Sequence, residues 1–168
     1  VRFVVGWEPE DLAGAPAPDV LLDCWAGPTR LVEALRKAPQ VRWIHARSAG
    51  LDRVLAPEVV AHPAVLTNGR GAFSPALAEF TLAALLFFLK DLRRLVTQQA
   101  AGAWQPFDMD QLEGRTVGIV GYGDIGRAVA SRLRPLGVEI LALRRRPERS
   151  REDPLVVETF PPERLVDL

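Results

Sequence analysis

Three glycines in the sequence GYGDIG have the spacing of a phosphate-binding turn. Gly121, Gly123 and Gly126 follow an apolar run at residues 117–120 and precede a helical pattern that begins near Asp124. In such a turn the first glycine allows the bend, the second lets a pyrophosphate approach the backbone, and the third lets the helix pack closely on the strand. The helix start offers amides and a positive dipole end to the phosphates. We therefore predict dinucleotide binding, with a purely structural turn as the alternative. The predicted cofactor-binding residues of this turn are Gly121, Tyr122, Gly123, Asp124, Ile125 and Gly126.

Three consecutive arginines, Arg144, Arg145 and Arg146, follow the next apolar run at residues 138–143. In sites of this kind an acidic residue about 20 residues beyond the turn accepts hydrogen bonds from the ribose 2′-hydroxyl of NAD. A carboxylate would repel a 2′-phosphate, whereas guanidinium groups pair with it. We therefore predict that Arg144 and Arg145 bind the cofactor and that NADP(H) is preferred, with NAD(H) possible. The alternative is a solvated basic loop that contacts nothing.

The histidines and the cysteine of the chain offer little catalytic chemistry. His45 ends a predicted strand and His62 precedes Pro63 in a predicted surface turn, so we expect structural roles for both. No metal-ligand spacing connects them, and we expect no metal site. Cys24 is the single cysteine, which excludes an internal disulfide, and we expect it to be a small buried residue.

Composition narrows the class of protein. The 168 residues are 48% hydrophobic and carry 21 basic and 21 acidic side chains. This balance gives no global field for nucleic acid or an anionic membrane, and we expect neither as a partner. The lone cysteine and the lack of a secretory signal pattern favour the cytoplasm. The most apolar segment, residues 82–89, is shorter than the roughly 20 residues of a membrane span, which predicts a buried helix.

The first part of the chain has alternating strand and helix patterns. Strands are predicted at residues 2–6, 20–25, 41–46 and 65–67, helices at 28–38 and 54–60, and a proline-rich connection at 9–18. In the first helix Leu31, Val32 and Leu35 share one face. The alternation predicts a parallel α/β sheet.

The second part of the chain begins with a predicted long helix at residues 75–100. Ser74 is expected to cap its start, with Pro75 at the first helical position. Its first half is apolar on nearly every face, which predicts burial between domains or subunits. A linker leads to a second α/β unit that begins at Leu112. The helix after the glycine turn is expected to face its sheet with Ile125, Val129, Leu133 and Leu136.

Three passages resemble the D-2-hydroxyacid dehydrogenase family, which includes glyoxylate and hydroxypyruvate reductases. The passages are RSAGLDRV at residues 47–54, TNGRGAFSPALAEFTLAALL at 67–86 and LEGRTVGIVGYGDIGRAVA at 112–130. In order, they are similar to the substrate loop, the interdomain crossover with its long helix, and the entry to the cofactor site.

The resemblance implies an α/β fold in two domains. Residues 1–100, including the interdomain helix at 75–100, would be a flavodoxin-like substrate domain. After a linker at 101–111, residues 112–168 would be the first half of a Rossmann NAD(P)-binding domain.

The resemblance also implies an activity, namely hydride transfer between a nicotinamide cofactor and a small 2-oxo or 2-hydroxy acid of the glyoxylate or hydroxypyruvate type, and the arginine run makes NADP(H) the expected cofactor. Ser48, Ala49 and Gly50 match the loop whose amides hold the substrate carboxylate, or else form a simple turn. Arg70 is a candidate contact for an anionic substrate, or else a surface arginine. The family's catalytic arginine, acid and histidine would lie beyond Leu168, so this chain alone is expected to be inactive.

Two further expectations concern partners. The apolar surface of residues 82–89 favours a homodimer, although packing between domains would also bury it. The family resemblance extends to C-terminal-binding corepressors, so a non-catalytic dinucleotide-sensing scaffold is the alternative function.

Overall fold

The computed structural model describes residues 4–6, 11, 18–24 and 26–168. They belong to two compact units, Val1–Ala72 and Phe73–Leu168. Each unit contains a three-stranded sheet whose paired strands are all parallel. Helices connect most of the strands, so the predicted α/β class is confirmed.

The first unit alternates strand and helix as predicted. Its elements are β1 (Val20–Asp23), α1 (Pro28–Lys37), β2 (Trp43–Ala46), α2 (Pro57–Ala61) and β3 (Val65–Asn68). The strands lie in the order β1-β2-β3. Asp23 pairs with Ala46, and Ala46 with Asn68, so the three carboxyl ends lie side by side. The loops that follow β2 and β3 therefore leave the same edge of the sheet.

Helix α1 supplies much of the core of the first unit. Pro28 lies in its first turn, where a missing amide hydrogen costs nothing. Leu31, Val32 and Leu35 are buried on one face, which confirms the predicted apolar stripe. They pack in one cluster with Ile44 of β2, which is fully buried.

Several predictions for the first residues fall partly outside the described part of the chain. Of the predicted strand at 2–6, residues 4–6 are described and carry no strand, and most of the 9–18 connection is not described. Strand β1 ends at Asp23, and Trp25 lies outside the described residues. Cys24 is exposed, so its predicted burial is wrong. It follows the strand directly, where the chain leaves the sheet.

The second unit contains two helices followed by a βαββ arrangement. Its elements are α3 (Ser74–Leu89), α4 (Leu92–Ala100), β4 (Thr116–Val120), α5 (Asp124–Leu133), β5 (Glu139–Leu143) and β6 (Glu158–Phe160). Single-turn 3-10 segments occur at Arg134–Leu136 and Pro147–Ser150, and a longer one at Pro162–Asp167. The strands lie in the order β4-β5-β6.

The single helix predicted at 75–100 is wrong, because the chain breaks between α3 and α4. Asp91 has a φ of 43°, in the left-handed region, which a continuous helix cannot include. Its Oδ1 accepts a hydrogen bond of 3.3 Å from the amide of Arg94 and so caps α4. The predicted serine cap is also wrong: Ser74 is already helical, and Phe73 precedes the helix without a side-chain hydrogen bond.

Helix α3 is buried on one side only. Ala78 is fully buried in a cluster with α5, and Leu82, Leu85, Leu86 and Leu89 pack against that cluster. Three other apolar residues of the same helix, Leu77, Phe80 and Phe88, are 42%, 72% and 76% exposed. The side of α3 that packs on α5 agrees with the predicted burial, and the burial of the other side between domains or subunits stays a prediction. By its contacts, α3 belongs to the second unit. From the sequence, residues 75–100 were assigned to the substrate domain. That assignment concerns function and stays a prediction.

The predicted sheet-facing stripe of α5 is half correct. Val129 and Leu133 are buried, but Ile125 and Leu136 are 46% and 41% exposed. Leu136 follows the end of α5 in a 3-10 turn, whose tighter winding moves it off the buried face. Ile125 lies in the first turn of the helix, and the close approach to the sheet is made by Gly126 instead. Among the described helices, none combines the length and apolar character needed to cross a membrane.

Candidate functional site

An open cleft of about 830 Å³ lies in the second unit at the carboxyl ends of β4 and β5. Ligands of open parallel sheets bind at this edge. One wall is the glycine turn and the other is the basic segment that follows β5. The lining residues are Val120, Gly121, Tyr122, Gly123, Leu143, Arg144, Arg145, Arg146, Arg149 and Pro162.

The glycine turn is tied to the last carbonyl of β5. The amides of Gly121 and Tyr122 both donate to the Leu143 oxygen, at 2.9 and 3.0 Å. Gly121 has a φ of 97°, which favours glycine, and the Gly123 amide donates to the Gly121 oxygen at 2.9 Å. The predicted role of Gly121 in permitting a tight turn agrees with this geometry.

Gly123 and Gly126 differ in what surrounds them. A Cβ on Gly126 would lie 2.7 Å from the Gly121 oxygen and 3.1 Å from Cγ2 of Ile119, so only glycine lets α5 approach β4 this closely. A Cβ on Gly123 would meet no atom within 4 Å. Because Gly123 lines the cleft, this open space is available to a ligand. The two glycines therefore fit the separate roles that their spacing predicts.

Helix α5 begins at Asp124, as predicted, directly after the turn. Its first backbone hydrogen bond runs from Arg127 to the Gly123 oxygen at 2.9 Å. The amides of Ile125 and Gly126 precede that bond and have no acceptor within the helix. Together with the helix dipole they give the turn a positive electrostatic potential, which suits the phosphates of a dinucleotide.

Four arginines form the opposite wall of the cleft. Arg144 follows β5 directly and is half-buried, while Arg145, Arg146 and Arg149 are exposed. Nη1 of Arg144 donates a hydrogen bond to Oγ of Ser150. This wall lacks a carboxylate among its lining residues and carries several guanidinium groups instead. Such a wall can pair with phosphate oxygens.

Tyr122 lines the cleft, but its side chain is buried in the interior of the second unit. The residue is 2% exposed, and its hydroxyl donates to Oδ2 of Asp153 at 3.2 Å. Burial raises the pKa of Tyr122 to about 12, with the charge of Asp153 and this hydrogen bond contributing. The phenol is therefore neutral at pH 7, and a ligand in the cleft meets mainly the backbone of this residue.

Asp153 joins three parts of the second unit. Its Oδ2 also accepts from Nε of Arg127 at 2.7 Å, and its Oδ1 accepts from the Leu155 amide at 3.1 Å. Burial by itself raises the pKa of Asp153, but the hydrogen bonds from Leu155, Arg127 and Tyr122 and the charge of Arg127 outweigh it and lower that pKa. The ionised carboxylate ties the glycine turn and α5 to the loop before β6.

The predicted cofactor residues are thus divided between the cleft and the helix behind it. Gly121, Tyr122, Gly123, Arg144 and Arg145 line the cleft. Asp124, Ile125 and Gly126 form the first turn of α5 and are not among the lining residues.

Five lining residues lie outside the predicted set, namely Val120, Leu143, Arg146, Arg149 and Pro162. Arg149 follows Pro147 in the sequence RRRPERS, and a basic residue one 3-10 turn after the arginine run was a usable signal. For Pro162 the sequence holds no such signal.

The predicted substrate loop lies in the first unit, at the carboxyl edge of its sheet. The Ser48 oxygen accepts from the Gly69 amide at 3.0 Å, and the Ala49 oxygen accepts from Nδ2 of Asn68 at 2.7 Å. Oγ of Ser48 donates to the Gly50 oxygen at 2.7 Å. In a trans peptide the N–H points opposite to the carbonyl, so the amides of Ala49 and Gly50 are turned away from Gly69 and Asn68. Arg70 is exposed in the turn that follows β3.

The histidines are held by neighbouring groups. Nδ1 of His45 lies 2.8 Å from Oγ1 of Thr67, and this hydroxyl oxygen accepts a hydrogen bond from Nε1 of Trp43 at 2.8 Å. Nδ1 of His62 accepts from the Ala64 amide at 3.2 Å. In the described part of the chain, no group of three or more His, Cys, Asp or Glu side chains is placed to bind a metal ion.

Comparison with known proteins places this geometry in a family. Residues 82–167 match the family described as D-isomer specific 2-hydroxyacid dehydrogenase, NAD binding domain. A glyoxylate reductase of Thermofilum pendens is 32% identical over 65% of this chain and 34% of its own length. A hydroxypyruvate reductase of Thermotoga maritima is 29% identical over 71% of this chain and 37% of its own length.

Solved structures agree with these matches. The crystal structure of a D-isomer specific 2-hydroxyacid dehydrogenase family protein from Aeromonas salmonicida superimposes with a TM-score of 0.74 and 26% identity. It covers 94% of this chain and 49% of that protein. The chain thus spans about a third of the curated relatives and about half of this structure. The chain belongs to the D-isomer specific 2-hydroxyacid dehydrogenase family.

Proposed function

We propose that this protein is an oxidoreductase that transfers a hydride between NADP(H) and a small 2-oxo or 2-hydroxy acid of the glyoxylate or hydroxypyruvate type. The nicotinamide would supply the hydride, and the described residues would bind and orient the cofactor. The observation that carries the proposal is the arginine wall beside the glycine turn.

The choice of NADP(H) follows from charge. Where an NAD site has a carboxylate for the ribose 2′-hydroxyl, this chain has Arg144. Arg145, Arg146 and Arg149 line the same cleft, and their guanidinium groups suit a 2′-phosphate. The alternative of a solvated loop that contacts nothing fits less well, because Arg144 is half-buried and bonded to Ser150.

The other phosphates would lie at the glycine turn. Gly123 leaves open space toward the cleft, and the amides of Ile125 and Gly126 lie at the positive end of α5. The two walls would hold the adenosine half of the cofactor by its pyrophosphate and its ribose phosphate, which leaves the nicotinamide to reach the substrate.

For the substrate, we propose that Ser48, Ala49 and Gly50 bind the carboxylate through backbone amides. Their carbonyls accept hydrogen bonds from within the first unit, which turns the amides of Ala49 and Gly50 outward. Arg70 is exposed in the neighbouring loop and would add positive charge. The similarity to a glyoxylate reductase and a hydroxypyruvate reductase supports small acids of this type.

We also propose a cytoplasmic homodimer. The exposed apolar side chains of α3, Leu77, Phe80 and Phe88, are the proposed contact, because a surface of this kind is unfavourable in water.

The test is a pair of fluorescence titrations of the chain with NADPH and NADH. We expect NADPH to bind at least about tenfold more tightly, which corresponds to about 1.4 kcal/mol. The double variant Arg145→Gln, Arg149→Gln keeps Arg144 and should therefore weaken this preference without abolishing it, while NADH binding changes little. Arg115→Gln is the control for the loss of a positive charge outside the cleft, because Arg115 pairs with Asp110 and is not among the lining residues. Tighter binding of NADH by the unmodified chain would overturn the cofactor assignment.

A second measurement adds glyoxylate or hydroxypyruvate to the NADPH complex and follows the absorbance of the reduced cofactor. We expect binding without turnover from these 168 residues. Turnover would contradict the expectation that the chain alone is inactive and would make His45 a candidate proton donor.

A further inference from the structure

One arginine of the cleft wall differs from its neighbours in how it is held. Arg144 is half-buried and donates from Nη1 to Oγ of Ser150, whereas Arg145, Arg146 and Arg149 are exposed. A guanidinium group has five N–H donors in a rigid plane, so one bond to Ser150 leaves four for a ligand. The bond also limits the directions in which the plane can face.

Ser150 is itself fixed. It ends the 3-10 turn Pro147–Ser150 and is 2% exposed. Its carbonyl accepts from the Asp153 amide at 3.1 Å. Because Asp153 is bonded to Tyr122 and Arg127, Ser150 belongs to a frame that includes the glycine turn and α5.

We infer that Ser150 is a positioning residue that orients the Arg144 guanidinium toward the 2′-phosphate of the cofactor. The inference rests on the proposed preference for NADP(H) and adds a residue that acts on that preference without contacting the ligand. A long arginine side chain loses conformational entropy when it binds a phosphate, and a group already held in place loses less. A buried serine hydroxyl also needs a partner, and Arg144 provides it.

The experiment compares the ratio of the NADH to the NADPH dissociation constant in Ser150→Ala and in the unmodified chain. We expect Ser150→Ala to lower this ratio about three- to tenfold, the range of one hydrogen bond, with NADH binding nearly unchanged. Ser131→Ala is the matched control, because Ser131 donates to the Ala128 oxygen on α5 at 2.8 Å and lies outside the cleft lining. This control should leave the ratio unchanged.

A double-mutant cycle separates positioning from a general loss of structure. If Ser150 acts through Arg144, Ser150→Ala should not change the ratio further in an Arg144→Gln background. Ser150→Cys is a nearly isosteric second variant with a weak acceptor, and it should lower the ratio even if the alanine variant folds poorly.

The outcomes distinguish this inference from the proposed function. An unmodified chain that prefers NADPH, with an unchanged ratio in both Ser150 variants, would overturn the positioning role alone. An equal effect of Ser150→Ala with and without Arg144 would do the same. An unmodified chain that binds no adenine dinucleotide, or binds NADH as tightly as NADPH, would overturn both.

Discussion

The hydroxyl of Tyr122 lies 3.2 Å from Oδ2 of Asp153, so the turn that lines the cleft is bonded to a loop that follows it by about thirty positions in the chain. Arg127 donates to the same oxygen at 2.7 Å. One carboxylate therefore connects the glycine turn, α5 and the segment before β6, and its removal should affect all three.

We expect Asp153→Asn to lower the free energy of unfolding at pH 7 by about 1–3 kcal/mol. The neutral amide replaces a mostly buried carboxylate and is a weaker acceptor for its charged and neutral donors. Asp110→Asn is the control: Asp110 pairs with Arg115 while both side chains are more than half exposed, and it should cost less than about 1 kcal/mol. Urea unfolding measures both. Equal losses in the two variants would contradict a central role for Asp153.

The pH dependence of the same variant has a definite sign. The pKa of Asp153 is lowered in the folded state, so its contribution to stability is complete above the unfolded value of about 4 and is lost as the pH falls through the folded value. The difference between the unmodified chain and Asp153→Asn should therefore shrink below about pH 4. Unfolding at a series of acidic pH values tests this, and a difference that grows on acidification would refute it.

Tyr122 can be titrated directly because the chain contains 1 tyrosine. Burial, followed by the charge and hydrogen bond of Asp153, raises its pKa to about 12. Its contribution to stability is complete below the unfolded value of about 10 and is lost as the pH rises through the folded value. Tyrosinate absorbance should show a midpoint near 12 in the folded chain. Tyr122→Phe provides the blank, and a midpoint near 10 would place the phenol in solvent.

Gly123 and Gly126 should respond differently to alanine. We expect Gly126→Ala to destabilise the fold by about 1–3 kcal/mol, because its Cβ would lie 2.7 Å from a backbone oxygen. Gly123→Ala should change stability by less than about 0.5 kcal/mol but weaken NADPH binding, because its methyl group would occupy open space of the cleft. Thermal unfolding and cofactor titration measure the two effects. If Gly123→Ala bound NADPH as tightly as the unmodified chain, the phosphates would not lie against Gly123.

The break between α3 and α4 depends on Asp91. Asp91→Ala removes the cap of α4 and places a residue with little tolerance for positive φ at 43°, so we expect a loss of about 1–2 kcal/mol. Asp91→Asn keeps a capping oxygen and tolerates this conformation, so its unfolding temperature should stay near that of the unmodified chain. If the alanine variant were equally stable, a continuous helix would be the better description.

The exposed side of α3 gives the prediction on assembly. We expect the unmodified chain to sediment as a dimer at micromolar concentration and Phe80→Glu to sediment as a monomer, because a charge replaces a side chain that is 72% exposed in a single copy. Val60→Glu alters a residue of α2 that is 68% exposed and should leave the mass unchanged. A monomeric unmodified chain would refute the proposed dimer.

Local patterns were sufficient to predict most elements of the fold. The alternation of apolar runs predicted β1 to β5 near their observed positions, and the glycine spacing predicted the turn before α5. These features depend on neighbours within a few residues, for which periodicity and turn chemistry are informative.

The errors concern features that depend on contacts between distant residues. Asp91 is an exception, because its left-handed conformation accompanies a local cap to the Arg94 amide, but the helix-forming residues around it concealed the break. The carboxylate of Asp153, in contrast, meets Tyr122 only in the folded unit. Ser150 was likewise missed, because its partner Arg144 is set by the path of the intervening 3-10 turn.

The two hydrogen bonds that the Leu143 carbonyl accepts couple the stability of the cleft to that of the sheet. The Gly121 and Tyr122 amides both use this oxygen, so their protons become available for exchange with solvent only when the turn separates from β5. The cleft and the pairing of β4 with β5 should consequently be lost in one opening event. A partly unfolded form that keeps this pairing would still present an intact phosphate-binding turn.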